Sequence, residues 1–485
     1  MKIIKIITNI FFMKTAICVI IKDEHDYLEE WLNYHLNLGI DEIYLYEDYG
    51  STTHSAIIQQ YDSLKVHLHS IDVIYQSNFI FAKQYNKRGS YRQEQLFDWF
   101  FETYKSNFDW ILFNDLDEFL VLKEPLDKLL TEYADKPAIL LQWKWYGASG
   151  HISKPIGKVM ENYTTPISTS FNHVISCKSF INCKKHIIWE RPIHKSKGGV
   201  FPLTEFGDHK AWLNHYFTKS WEEWKWQIMQ RGDVCIGNRK MTQFFKLNPD
   251  MLPLKNDLLL EIAIENATKL GFNQNKNKGN KYLHFCWFGG NDFKDIHLKC
   301  IESWKKYLSN DYIVCLWNEY SFGFFDYNFT KDAYKHQSWA FVADFVRVWA
   351  VYNYGGIYLD TDVELLKPID DLPSNFFAIE KDYDAIAFGL GFGAEKENEI
   401  IGQILHTYEN LKFNSNDMYS ITIPIITMQC LNELGYELNN NTIHTFNGFT
   451  IYPDIYFCPK SNVNQTFDIK NETIAIHHYI GSWAV

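Results

Sequence analysis

The sequence predicts an α/β protein made of two tandem domains, each organised around a parallel sheet. Three observations carry that expectation. An apolar strand, an amphipathic helix and a second apolar strand open each half of the chain, an aspartate pair follows a later strand in each half, and a polar stretch lies between the halves. At 485 residues the chain is also longer than one typical domain.

In the first half, residues 16–21 (AICVII) form a continuous apolar run, the pattern of a strand covered on both faces. Residues 26–38 follow at helical spacing, with Tyr27, Trp31, Tyr34 and Leu38 on one side and Gly39 as the stop. Residues 42–46 make a second strand, completing a β-α-β unit. Ligands of such sheets bind at the carboxyl ends of the strands. Lys22, Asp23 and Glu24 leave the first strand there, and Glu47 and Asp48 leave the second, so both groups are candidates for nucleotide contact. After an amphipathic helix at 90–105, residues 110–113 form another strand, from which Asp115, Asp117 and Glu118 emerge. Residues two apart in an extended chain share a face. Asp115 and Asp117 are therefore expected to act together on a divalent cation, which prefers oxygen donors and substrate phosphates. The aromatic stretch at 143–151 (WKWYGASGH) suits an acceptor-facing loop, and His215 is a candidate for the metal shell or the active site.

Residues 257–270 read as a helix ended by Gly271. The stretch 273–280 (NQNKNKGN) has no apolar anchors, so burial does not offset the entropy of ordering it. The expected division is a first domain at 14–271, a linker at 272–280 and a second domain at 281–485.

In the second half, strands at 282–287 and 312–317 flank a helix at 297–307. The helix at 338–352 is apolar nearly all round, which marks it as buried. Its charges, Asp344 and Arg347, are three apart and so share a face, and buried charges must be paired or ligand-bound. Either the two close on each other, or Asp344 contacts sugar hydroxyls and Arg347 a diphosphate or sugar. The helix runs into 354–370 (YGGIYLDTDVELLKPID), where Asp360 and Asp362 are expected to share a face toward a cation. In the last residues, IHHYIGSWAV, His478 or Ser482 is expected to supply a metal ligand and Trp483 to cover the sugar or diphosphate.

A net charge of −12 with no long basic run argues against a nucleic-acid partner. The 17% aromatic content supplies platforms for sugars and bases as well as core. Nine cysteines without metal-type spacing suit reduced thiols in a cytoplasmic protein. The opening MKIIKIITNIFF is too broken by Lys, Thr and Asn for a span of about 20 apolar residues, and no cleavage site follows it. The expectation is a cytoplasmic protein, at most peripheral on the inner face of the cell membrane.

The motifs K-D-E-x-x-Y-L-x-E-W-L-x-Y-H-x-x-x-G (22–39), F-N-D-L-D-E-F-L (113–120), W-Y-G-A-S-G-H, N-H-Y-F-T-K-S and R-G-D (231–233) occur in this order over most of 14–250. In that order and spacing they resemble the family 92-like glycosyltransferases of the broader family-2-like set. The resemblance implies a GT-A fold, a nucleotide-sugar donor, galactose as the donor sugar and inversion at the anomeric carbon. Relatives have N-E where this chain has Asp23-Glu24, and an aspartate accepts hydrogen bonds but donates none. Inversion needs a base for the acceptor hydroxyl. Glu118, Asp233 and His215 are the candidates.

The second half carries L-H-F-C-W-F-G-G (283–290), S-W (303–304), A-D-F-V-R (343–347), Y-G-G-I-Y-L-D-T-D-V-E (354–364) and H-H-x-x-G-S-W (477–483). These resemble the family 32 glycosyltransferases, described by a DXD-containing sugar-binding region, and in part the glucosylating clostridial toxins. That resemblance implies that Trp287 stacks on the nucleobase, Asp344 and Arg347 hold the sugar, Asp360 and Asp362 bind Mn²⁺ and ribose, and configuration is retained. The combined expectation is two tandem GT-A domains in a bifunctional transferase that depends on Mn²⁺ or Mg²⁺. It would use UDP-hexose donors such as UDP-galactose. The acceptor would be a growing cell-surface glycan or lipid-linked oligosaccharide, as in a capsular polysaccharide or lipooligosaccharide. Competing readings are a single catalytic half with the other holding acceptor, a non-catalytic glycan-binding protein, a toxin-like protein glycosyltransferase, and a two-metal phosphohydrolase.

Overall fold

The computed structural model describes residues 13–48, 51–71, 91–167, 177–185, 187, 189–191, 195–231, 241–274, 281–324 and 326–480. The chain divides into two compact units, residues 1–252 and 253–485. The helix Lys255–Lys269, placed by sequence at the end of the first domain, belongs with the second unit. Its Ala263, Ile264 and Ala267 join that unit's cores, and Asn266 donates to the Leu316 carbonyl. The division therefore falls ahead of the polar stretch at 273–280.

In the first unit the strands are β1 (Thr15–Ile21), β2 (Glu42–Glu47), β3 (Val66–Ser70), β4 (Trp110–Asn114), β5 (Glu118–Leu122), β6 (Ala138–Trp145), β7 (Cys177–Asn182) and β10 (Ala211–His215), with a small ribbon of β8 (Trp189–Arg191) and β9 (Lys195–Ser196). The main sheet runs β3-β2-β1-β4-β7-β6-β10-β5. It is parallel from β3 to β4, as the β-α-β opening requires, and mixed beyond, where β7 runs antiparallel to β4 and β6. The apolar run in β1 has a direct cause. Ile17, Val19 and Ile21 enter one buried cluster, and Ala16, Cys18 and Ile20 enter another on the opposite face. Each such fully buried large aliphatic side chain contributes about 2 kcal/mol.

The second unit repeats the opening. Its strands are β11 (Lys281–Cys286), β12 (Tyr312–Trp317), β13 (Gly356–Tyr358), β14 (Val363–Leu365), β15 (Phe376–Glu380), β16 (Ala385–Ile386), β17 (Phe392–Ala394), β18 (His444–Phe446), β19 (Phe449–Tyr452) and β20 (Ala475–His477). The sheet order is β12-β11-β13-β17-β15-β19-β18, with β16 on β15, while β14 and β20 pair separately. Pairing is parallel through β12, β11 and β13 and antiparallel from β13 to β17. Both units are thus mixed α/β sheets of the GT-A-like kind, parallel at the amino-terminal strands and mixed beyond them, where β10 lies parallel to β6 and β19 parallel to β15. Gly356, at positive φ, allows β13 to lie against β11, because a Cβ there would meet the Tyr282 carbonyl at 2.4 Å.

A neutral histidine is built into each core. His35 donates through Nδ1 to the Trp31 carbonyl (2.9 Å) and accepts at Nε2 from the Leu120 amide (3.2 Å). His284 donates through Nε2 to the Gly355 carbonyl (2.8 Å) and accepts at Nδ1 from the Trp317 indole (3.2 Å). Burial pushes both imidazoles down to about 4. The unfolded histidine titrates near 6.5, so the unfolded chain binds the proton more tightly. The stabilisation is complete above that value and drains away as pH falls toward 4. Urea unfolding at pH 7, 6 and 5 should show each histidine costing about 2 kcal/mol by pH 5. A midpoint that stays flat across that window would contradict the assignment.

Candidate active sites

In the first unit β4 ends at Asn114 and the chain turns through 115–117 into β5. This is a turn, so the alternation expected of an extended strand does not apply. The two aspartates reach different partners. Asp115 pairs with the ammonium of Lys178 on β7 at 2.8 Å. Asp117 faces Nε2 of His215 at 3.5 Å. His215 reaches it because β10 runs antiparallel to β5 with His215 opposite Glu118. Lys178 and Glu118 are wholly buried, with their charged atoms 4.0 Å apart. Burial, offset in part by Lys178 and reinforced by the charges of Asp115 and Asp117, holds Glu118 well above the ordinary carboxylate range. Burial also works against the Lys178 ammonium, but Asp115 and Glu118 outweigh it and keep the amine charged. One ligand atom each from Asp117, Glu118 and His215 lies within 4.8 Å of the others. Among the described residues, Glu118 Oε1 and His215 Nδ1 are buried without a hydrogen-bond partner. Two oxygens and a nitrogen suit a divalent ion such as Mn²⁺, so the residues present fit one.

The second unit builds the same device. After β13 the chain passes Asp360 and turns through 361–362 into β14. Arg347, buried on the helix Trp339–Tyr354, bridges Asp344 (3.0 Å) and Asp360 (3.2 Å) and lies over the Tyr358 ring. The Tyr358 hydroxyl donates to Asp360 at 2.8 Å. Burial pushes Asp344 up to about 6, against the pull of Arg347 and with the help of Asp360. Asp362 faces Nε2 of His477 on β20 at 3.2 Å and accepts from the Ile480 amide at 2.9 Å. Burial pushes Asp362 up, but His477 and that amide outweigh it and hold the carboxylate low. Asp360, Asp362 and His477 form the second group able to hold an ion, with ligand atoms within 4.8 Å. Gly389 lines this site, since a Cβ there would meet Asp360 Oδ2 at 2.3 Å and the Arg347 guanidinium at 3.1 Å.

In each unit the turn is hung by an indole from the helix of the opening β-α-β unit. Trp31, on the helix His25–Asn37, donates to the Glu118 carbonyl at 2.8 Å. Trp304, on the helix Asp295–Tyr307, donates to the Val363 carbonyl at 2.7 Å. Each accepting residue directly follows the second aspartate of its pair.

The structure redistributes several of the sequence-derived candidates. Asp115 is held by Lys178 and stands outside the convergent group, which takes Glu118 instead. His478, just past the end of β20, is turned to Glu364 (2.9 Å), and His477, the last residue of β20, faces Asp362. The stretch at 143–145 is part of β6, not of a loop, and Trp143 and Trp145 pack edge to face against each other and both against His215, each ring centroid 4.8 Å from the imidazole. Lys22, Glu24 and Asp48 lie where β1 and β2 end, and His54 ties the two exits by accepting from the Glu24 amide (3.1 Å) and pairing with Glu47 (3.0 Å). Trp287 follows β11, with one face stacked on Phe293 at 4.4 Å. Asp233, Ser482 and Trp483 lie outside the described residues. Sequence reasoning missed Lys178, His477 and Gly389, whose roles depend on strands distant in the chain.

Family comparison finds a glycosyltransferase match in each half of the chain. Residues 14–244 match the family described as Glycosyltransferase family 92, and residues 295–377 match Glycosyltransferase sugar-binding region containing DXD motif. A glycosyltransferase family 92 protein of Oryza sativa subsp. japonica is 20% identical over 221 residues, covering 43% of this chain and 34% of that relative's length. Among solved structures, the PaToxG glycosyltransferase aligns over 37% of this chain and 78% of its own, at 16% identity and a TM-score of 0.27. HddC from Yersinia pseudotuberculosis aligns over 42% and 77%, at 10% identity and a TM-score of 0.19.

The Lys178 contact is open to a double-mutant test. Lys178→Met leaves Asp115 and Glu118 without their cation and should cost about 3 kcal/mol in urea unfolding, the scale of breaking a buried pair. Adding Asp115→Asn should recover part of that loss. Simple additivity of the two substitutions would show that the pair is not coupled.

Proposed function

We propose that both units are catalytic and that the chain transfers two sugars from nucleotide-sugar donors to a growing glycan. The observation that carries this reading is the recurrence of one device. Each unit has an acid-bearing turn after a strand, a buried cation on the first aspartate, and a histidine from an antiparallel strand facing the second. A unit that served only to hold acceptor would have no need of a buried acid–cation set. Each convergent group offers three donors among the described residues. That is enough for one ion shared with a diphosphate but short of a two-metal phosphohydrolase.

In the second unit the fixed charge of Arg347 supports a departing diphosphate, and Asp344 is left to take sugar hydroxyls. Trp287 offers its remaining face to a nucleobase. In the first unit Lys22, Glu24 and Asp48 are assigned to the nucleotide. Asp117, Glu118 and His215 would hold the ion there, and Asp360, Asp362 and His477 in the second. When bound, a divalent ion, Mn²⁺ in preference to Mg²⁺, supplies Lewis-acid stabilisation of the leaving diphosphate. The acceptor oxygen bonds to the anomeric carbon as the bond from that carbon to the diphosphate oxygen breaks. In the inverting first unit the hydroxyl proton goes to a base, for which Glu118, Asp233 and His215 are the candidates. In the retaining second unit no enzymic nucleophile is assigned. UDP-hexoses, with UDP-galactose first, are the donors of choice, and a capsular or lipooligosaccharide chain is the acceptor. Among the described residues no helix is long and apolar enough to cross a membrane. A lipid-linked acceptor would then be met by peripheral docking at the cytoplasmic face.

Asp117→Asn and Asp362→Asn should each abolish a different metal-dependent step in a nucleotide-sugar panel, by at least about 100-fold in kcat. EDTA should abolish both, with Mn²⁺ restoring them. If Asp117→Asn left every transfer intact, the first unit would be an acceptor holder. Gly389→Ala should displace Asp360 and slow only the second unit's transfer, by about 100-fold. Equal loss of both transfers would point to misfolding instead, which circular dichroism would register.

A further inference from the structure

The residues leading out of β20 are held to the second site by several contacts. The His478 amide donates to the Asp362 carbonyl at 3.0 Å, and Lys460 donates to the His478 carbonyl at 2.6 Å. The next residue, Tyr479, has φ of +53°, a left-handed conformation that a bulky aromatic residue rarely adopts. Its hydroxyl donates to Glu380 at 3.0 Å, and Cys458 Sγ lies 2.8 Å from the same oxygen. Glu380 is the buried last residue of β15, and the Tyr479 ring packs against His477 with centroids 4.2 Å apart. The left-handed turn sends the following amide, that of Ile480, to Asp362 Oδ2 at 2.9 Å.

We propose that Tyr479 is a positioning residue of the second site. Its hydroxyl, anchored on Glu380, holds residue 479 in the left-handed turn. That turn places the Ile480 amide on one oxygen of Asp362 and leaves the other oxygen to face His477 and the ion. Strained backbone persists only where surrounding contacts over-determine it, and here the over-determining contact is a side-chain hydroxyl on a buried carboxylate. Phenylalanine would keep the ring packing but lose the anchor. Glycine would lose both ring and anchor yet adopt the left-handed turn without cost. The proposal rests on the reading of Asp360, Asp362 and His477 as a metal-binding group.

The test uses the full chain and two independent readouts. Hydrogen exchange of the C-terminal peptide containing Ile480, in the absence of metal and donor, reports the turn itself. Transfer by the second unit, titrated with Mn²⁺, reports its consequence. Tyr479→Phe should lower protection of the Ile480 amide and raise the Mn²⁺ concentration for half-maximal rate by about 10-fold, with a smaller change in kcat. Tyr479→Gly should retain more activity than Tyr479→Ala. Unchanged protection in Tyr479→Phe, or alanine outperforming glycine, would overturn the proposal. Failure of the underlying reading looks different: Asp362→Asn would then leave Mn²⁺ dependence unchanged whatever Tyr479 does.

Discussion

Both sites depend on one electrostatic constraint: a carboxylate drawn away from water must be given a cation or a hydrogen-bonded partner. The first aspartate of each pair meets that demand with a buried cation carried by another element, Lys178 on β7 for Asp115 and Arg347 on a helix for Asp360. Those contacts decide which way each turn opens. With the first aspartate committed, the second is directed to a histidine across an antiparallel strand pair, and the convergent donor set forms there. The cations differ in what they leave over. Arg347 has planar geometry and spans Asp344 and Asp360 together, whereas Lys178 is a point charge set between Asp115 and Glu118.

The rest of each unit serves to hold that turn still. An indole from the helix of the opening β-α-β unit takes the carbonyl just past the second aspartate, so that unit is joined to the acid-bearing turn. The neutral histidines His35 and His284 reinforce the same regions, one bonding the Leu120 amide in β5 and the other the Gly355 carbonyl before β13. A donor set held on rigid elements places its atoms more precisely than one borne on free loops, which matters where an ångström changes rate by orders of magnitude.

Much of this was legible in the chain. The continuous apolar run of β1 read as a strand buried on both faces, and in the structure its alternate residues enter two different core clusters, as those of β12 also do. The aspartate pairs, the buried Asp344–Arg347 pair and the site-facing His215 were visible as local patterns. What was not visible was partnership at a distance. The choice of Lys178 for Asp115 rests on β7 lying beside β4, and nothing within either segment encodes that adjacency. The choice of His477 over His478 rests on the register of β20 against β14, where a slip of one residue exchanges the two faces.

The sequence by itself determined the plan of the two halves, because hydrophobic period, turn residues and acidic pairs are local properties of the chain. Only the tertiary structure decided which acids converge, which are neutralised and where the units divide. The helix Lys255–Lys269 shows the reason. Its periodicity predicts a helix, but its ownership follows from which apolar surface it covers, and that surface is assembled from strands that come later in the chain.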